Sequence, residues 1–202
     1  MTAQHAMQEP NTAVVTKNEV RGSYVSVYQP RKNELSGKVK YQMAILIPKE
    51  DKQTLAQLKA AAEAAKAKKW PNGAPAKLRS PFRDGDTEKF LKDGVTPDPD
   101  YAGHYWINCT ADAKPGIVKL SQGQLVDSED PRDFVSGDYC RVSLNAYAYD
   151  APGNKGVAFG LNNVMITRRG EPMGGSARPA ADDFADFVDP TADDGAGVDD
   201  LI

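Results

Sequence analysis

Histidine and cysteine are almost missing from this chain, with two of each in 202 residues. Acid–base and nucleophilic catalysis therefore have little to draw on. His5 and His104 are the only imidazoles, too few for a convincing triad. Cys109 and Cys140 combine with the two histidines in no spacing typical of zinc ligands, so neither a metal nor any other cofactor is expected. No apolar run approaches the roughly 18 residues of a membrane span, and mean hydropathy is −0.55. Residues 1–16 show neither the basic start nor the apolar stretch of an export signal. A cytoplasmic setting with reduced cysteines is the expectation, and no membrane partner.

Positive charge is nearly absent from one region only. Residues 171–202 carry nine acids (Glu171, Asp182, Asp183, Asp186, Asp189, Asp193, Asp194, Asp199 and Asp200) against one base, Arg178, a net of −8. The preceding 170 residues hold 24 bases and 19 acids, a net of +5. The overall charge of −3 thus hides a basic body and a strongly acidic tail. Low hydrophobicity and high charge leave the tail unable to offset its ordering entropy by burial, so disorder is expected there.

Six strand-like runs are legible: 20–28, 38–47, 104–110, 117–120, 139–149 and 156–168. The second alternates cleanly, with Val39, Tyr41, Met43, Ile45 and Ile47 on one face and Lys38, Lys40 and Gln42 on the other. One helix is convincing, at about 51–69, where alanine and lysine dominate, Asp51 suits the N-cap and Pro71 forbids continuation. Its apolar stripe (Leu55, Leu58, Ala62) is narrow, as in a helix that covers something else. Residues 71–102 read as one long loop with a helical turn near 88–91. The division is a mobile start at 1–18, a β-domain at 19–170 and the linker and tail at 171–202. Short strands with one interrupting helix predict a mainly β fold, an OB-fold-like barrel of five or six strands under one covering helix.

The run 139–149 is the most informative. Cys140, Val142, Leu144, Ala146 and Ala148 form a core face, which leaves Arg141, Tyr147 and Tyr149 on the other side beside Tyr139, Ser143 and Asn145. Tyrosines with an arginine are unusual on a solvent face, whereas unpaired bases stack on aromatic rings for roughly 1–3 kcal/mol each. Trp106 falls on the outward face of its strand, and Tyr24, Tyr28, Lys38 and Lys40 extend the set. Lys155 stands at a hairpin tip, where loops of such barrels meet nucleic acid. These nine residues are the expected nucleic-acid contacts. The lysines of the helix (Lys59, Lys66, Lys68, Lys69) read as a solvated face.

Two other readings have a basis. Asp84, Asp86 and Glu88 would suit Mg²⁺ in a DNA-processing enzyme, but Asp-Gly-Asp is also ordinary turn chemistry and no acidic partner on a strand is evident. A protein-only adaptor or virion component would use the β-domain as scaffold and the tail as recruiter. The tail intersperses Phe184, Phe187 and Val188 among its acids and ends Asp199-Asp200-Leu201-Ile202, a pattern suited to a shallow basic pocket on a partner protein. It also suits competition with nucleic acid for the basic body.

Several segments carry a family resemblance: YCRVSLNAYAY (139–149), NKGVAFGLNNV (154–164), GEPMGG (170–175), RDGD (83–86) and YAGHY (101–105). Over about 20–175 the chain resembles a phage family first catalogued as a domain of unknown function, whose characterised kind is an OB-fold single-stranded DNA-binding protein. The resemblance implies a non-enzymatic, sequence-independent binder of single strands in phage DNA replication, recombination or repair, at work in the host cytoplasm. It implies that the acidic tail recruits replication or recombination proteins, and it is compatible with a homodimer. Tails of similar proteins commonly end in phenylalanine; this one ends in Leu201-Ile202.

Overall fold

The computed structural model describes residues 11–32 and 37–173. Its strands are β1 (Ala13–Val15), β2 (Val20–Lys32), β3 (Val39–Pro48), β4 (Arg83–Asp84), β5 (His104–Ala111), β6 (Gly116–Ser121), β7 (Gln124–Asp127), β8 (Tyr139–Ala151) and β9 (Asn154–Arg168). Helix α1 spans Lys52–Lys69, a single turn α2 spans Gly85–Glu88, and Pro99–Tyr101 forms a 3₁₀ turn.

Five strands close on themselves. β2 pairs with β3, β3 with β5, β5 with β9, β9 with β8, and β8 returns to β2. Every pairing in this ring is antiparallel except β5 with β9. Numbered within the ring the order is one-two-three-five-four, the OB-like barrel expected from the sequence. β6 and β7 extend the sheet beyond β9, β4 adds to β5, and β1 adds to β8.

The barrel interior is the main core. Val20, Met43, Ile45, Ile47, Ile107, Cys109, Cys140, Val142, Leu144, Phe159 and Val164 meet there, all buried. Alternation along β3, β5 and β8 delivers them inward, because successive side chains on a strand point to opposite faces. Burial also pushes both cysteine thiols well above their ordinary range, which leaves them as inert apolar groups. Helix α1 packs over β8, β1 and β9. Asp51 caps it by accepting from the Thr54 backbone N–H at 3.0 Å, and Leu55, Leu58, Ala61, Ala62 and Ala65 face the barrel. The two leucines contribute about 1.5–3 kcal/mol each by burial, while the alanines let the helix approach closely.

Three expectations need correction. Residues 13–15, expected to be mobile, pair as β1 with Ser143, Leu144 and Asn145, and Thr16 is buried beside Val142. Burial of Val14 and Thr16 offsets the ordering entropy that a polar terminus would otherwise lose. Residues 1–10 lie outside the described part. The expected turn of helix near 88–91 forms earlier, as α2, because Asp84 caps it there. β2 does not stop at Pro30 but continues to Lys32; pairing with β3 is irregular between Ser26 and Arg31, so no ladder hydrogen bond is asked of the proline. The acidic tail, with Phe184, Phe187, Asp199, Asp200, Leu201 and Ile202, lies outside the described residues.

A candidate nucleic-acid interface

The outer face of β3 and β5 is a shelf with covered and open parts. At the covered end, Ala44, Leu46, Tyr101 and Trp106 form a second small core on the outside of the barrel. Trp106 does point away from the barrel interior, as its alternation requires. The 85–103 segment folds back over it, so only 8% of its surface remains exposed, and Tyr101 stands edge-on to its ring at 5.8 Å. Trp106 therefore presents no face to a ligand, contrary to the expectation of an open stacking residue. Its indole N–H is buried without a hydrogen-bond partner among the described residues. The Tyr101 phenol donates to Ser23 Oγ at 2.8 Å, and burial pushes its pKa up to about 12.

Carboxylates hold this cover down. Lys49, just past β3, places its ammonium 2.6 Å from both Asp84 Oδ1 and Asp86 Oδ2, and Asp86 also accepts from the Gly103 backbone N–H at 2.7 Å. Glu88 accepts from the backbone N–H of Asp84 at 3.1 Å. The three acids that suggested a metal site thus serve as loop fasteners, with the Lys49 ammonium between Asp84 and Asp86. Lys49 lowers the pKa of both aspartates.

The open part carries cations and one prominent ring. Tyr24 sits in the β2 bulge, where three residue steps of β2 oppose two of β3 (Ser23 with Ala44, Ser26 with Gln42). Its φ of +48° is rare for an aromatic residue and turns the ring outward, 52% exposed. Lys89 donates to the Tyr24 phenol at 2.7 Å and lies 4.5 Å from its ring and 4.9 Å from that of Tyr101. Arg83 holds its guanidinium 5.2 Å over Trp106, with half of its own side chain exposed. Between these lies a floor of small polar groups, Ser26, Gln42, Thr110 and Asn108, set in register by β2, β3 and β5. Beyond the floor, Arg31 stands opposite Lys40 near the loop end of the β2–β3 hairpin, with Lys32 and Lys38 close by in the chain, and Lys40 meets Asp112 at 3.1 Å.

The nine expected contacts do not form one surface. Tyr24, Lys38 and Lys40 belong to the shelf. Tyr28 is half-buried against the core and shares a 2.8 Å hydrogen bond with Ser128, so its ring is not offered outward. Arg141, Tyr147 and Tyr149 are on β8, which the ring order separates from β5 by β9. Tyr147 is exposed there, whereas Tyr149 is half-buried. Arg141 reaches the Thr16 carbonyl at 3.5 Å, and Lys155 pairs with Asp150 at 3.0 Å. Arg83, Lys89 and Asn108 of the shelf are not among the nine expected contacts. The first two lie in a segment without strand periodicity, and nothing in their spacing says that it folds back over β5.

A closed five-stranded barrel with cations and an exposed ring around its second and third strands is the architecture of an oligonucleotide-binding domain. The comparisons specify it further. Residues 12–196 match the family described as Enterobacter phage Enc34, ssDNA-binding protein, and the chain belongs to that family. It is 26% identical over 171 residues to protein p50 of Acyrthosiphon pisum secondary endosymbiont phage 1, covering 84% of this chain and 91% of the relative. Its fold is similar to that of the single-stranded DNA-binding protein from bacteriophage Enc34 in complex with ssDNA (TM-score 0.65, 19% identity, 81% of this chain and 90% of that one). It also resembles the gp2.5 single-stranded DNA-binding protein of bacteriophage T7 (TM-score 0.51, 17% identity, 91% and 98% covered).

Proposed function

We propose that this protein is a non-enzymatic binder of single-stranded DNA that holds the strand on the outer face of β3 and β5. Membership of a phage ssDNA-binding family supports the ligand class. The observation that carries the site is the exposed Tyr24 ring with Lys89 against it, at the rim of a polar floor that ends in a basic hairpin. Bases stack on the ring and phosphates meet Lys89, Arg83 and the hairpin cations. None of these contacts reads base edges, so binding is independent of sequence. Such a protein serves phage DNA replication, recombination or repair by protecting exposed strands.

The acidic tail is the second part of the proposal, as a competitor for the shelf and a recruiter of replication or recombination proteins. What supports it is where the described chain ends. Met173 packs on the Ala44–Leu46–Tyr101–Trp106 cluster, beside Ser23 and Tyr24. Arg21 fastens the approach by donating to the carbonyls of Gly137 and Glu171, at 3.1 and 2.7 Å. The tail therefore starts at the rim of the shelf.

Titration of labelled single- and double-stranded oligonucleotides tests the reading. Tighter binding of the single strand is expected, with affinity falling with salt at a slope of about −0.7 per phosphate contacted. Equal, salt-insensitive or undetectable binding would remove it.

A further inference from the structure

We propose that β8, β1 and the last turn of α1 form a second nucleic-acid contact, which takes the continuation of a strand whose first part lies on the β3–β5 shelf. The inference rests on the single-strand reading above and adds a path to it. Behind β9 the molecule has an open cavity of about 360 Å³ lined by Thr12, Lys68, Lys69, Asn145 and Tyr147, with no acid among the described residues of its wall. Tyr147 leaves 41% of its surface exposed there. Cations in the last turn of a helix are ordinary complements of its dipole, and that accounts for Lys66, Lys68 and Lys69 as a group. It does not account for an open tyrosine ring beside the last two. Lys66 is held by Glu63 at 2.6 Å, whereas Lys68 and Lys69 make no ion pair among the described residues. Asp150, whose charge Lys69 feels, is already taken by Lys155.

The strand between the two surfaces is built to be crossed. Phe159 and Leu161 of β9 point into the barrel, so Ala158 and Gly160 face outward. Register places Thr110 of the shelf beside Gly160, Gly160 beside Asn145, and Ala158 beside Tyr147. From Thr110 to Asn145 is two strand spacings, about 10 Å around the barrel, with no side chain larger than a methyl group on β9 between them. A polynucleotide leaving the shelf at Thr110 therefore meets a low saddle and then a ring flanked by Lys68 and Lys69.

Oligonucleotide length separates the two contacts. An oligothymidine of about 8 nucleotides fills one OB-type face, and one of about 24 exceeds it. Both are titrated against the full chain, Lys68→Glu/Lys69→Glu and Tyr147→Ala, with thermal unfolding used to verify that the folds match. The expected result is at least a tenfold loss of affinity for the long strand in the double-lysine variant, less than a twofold change for the short one, and a salt slope for the long strand shallower by about 1.4. Tyr147→Ala should cost the long strand about fivefold. If the full chain binds neither oligonucleotide, the single-strand reading itself fails. If it binds both and the variants match it, or lose both lengths equally, only the second contact is overturned. The same holds if the lysine effect vanishes in a chain that begins at residue 11, since residues 1–10 would then be the occupant.

Discussion

Lys89 donates to the Tyr24 phenol at 2.7 Å while its ammonium lies 4.5 Å from the centre of the same ring. One cation thus holds the ring by its hydroxyl end, at a position where the backbone is already turned to φ +48°. A tyrosine held open in this way loses little side-chain entropy when a base stacks on it, so more of the stacking energy remains as affinity.

Tyr24→Ala should therefore weaken single-strand binding by about 1–3 kcal/mol. Tyr24→Phe keeps the ring and loses only the hydrogen bond from Lys89, so it should retain most of the affinity. Fluorescence anisotropy with a short oligothymidine measures both. An unchanged affinity in Tyr24→Ala would remove the ring from the interface.

The Lys49 clamp predicts a pH dependence with a definite sign. Lys49 depresses the carboxyls of Asp84 and Asp86. Their stabilisation is complete above the ordinary aspartate value of about 3.9 and is lost as pH falls through the lowered folded values. Lys49→Met removes the clamp at every pH. Its melting temperature should lie below that of the wild type at pH 7, and the gap should close as pH drops below about 4. Asp130, held to about 2 by Arg132, titrates alike in both proteins and cancels from the comparison. A gap that stayed constant down to pH 2.5 would show that the carboxylates fasten nothing.

Gly137 tests the approach to the tail. Its φ is +110°, and a Cβ there would lie 2.1 Å from the Glu171 carbonyl oxygen. Neither the conformation nor the space tolerates a side chain, and the obstacle is backbone, which cannot swing aside. Gly137→Ala should cost about 1–3 kcal/mol from the backbone conformation alone, with more from the clash, read by chemical denaturation. A cost confined to that backbone share would mean that the 137–171 contact is not maintained in solution, and a neutral substitution that the positive-φ turn is not maintained either.

Strand periodicity made the barrel legible, because interior positions such as Ile45, Ile107, Val142 and Phe159 alternate faithfully. The shelf was harder to read for the same reason. Period-two reasoning says which way Trp106 points and nothing about what lies on top of it. The cover depends on Tyr101 reaching Ser23 and on Lys49 reaching two aspartates more than 30 residues away. Neither contact leaves a local signature. β8 reads as the stronger aromatic face from sequence because its tyrosines are concentrated, whereas Tyr24, Arg83 and Lys89 converge only through a bulge and a folded-back loop.

Where the tail begins yields the most consequential prediction. Twenty-nine residues follow Met173, which itself packs beside Tyr24. A chain of that length can span up to about 100 Å, far more than a return over the shelf requires. It carries eight aspartates against Arg178, and tethering sets its local concentration on the order of millimolar. Deleting residues 182–202 should therefore raise single-strand affinity, by about tenfold at low salt if the tethered segment binds the shelf with a dissociation constant near a tenth of that concentration. Salt screens the tail–shelf attraction as well as the DNA contacts, so the advantage of the shortened chain should shrink as ionic strength rises. Adding the 182–202 peptide to the shortened protein should weaken DNA binding again, and a peptide with asparagine at each aspartate should not. If deletion leaves affinity unchanged at every salt concentration, the acidic segment does not compete for the shelf.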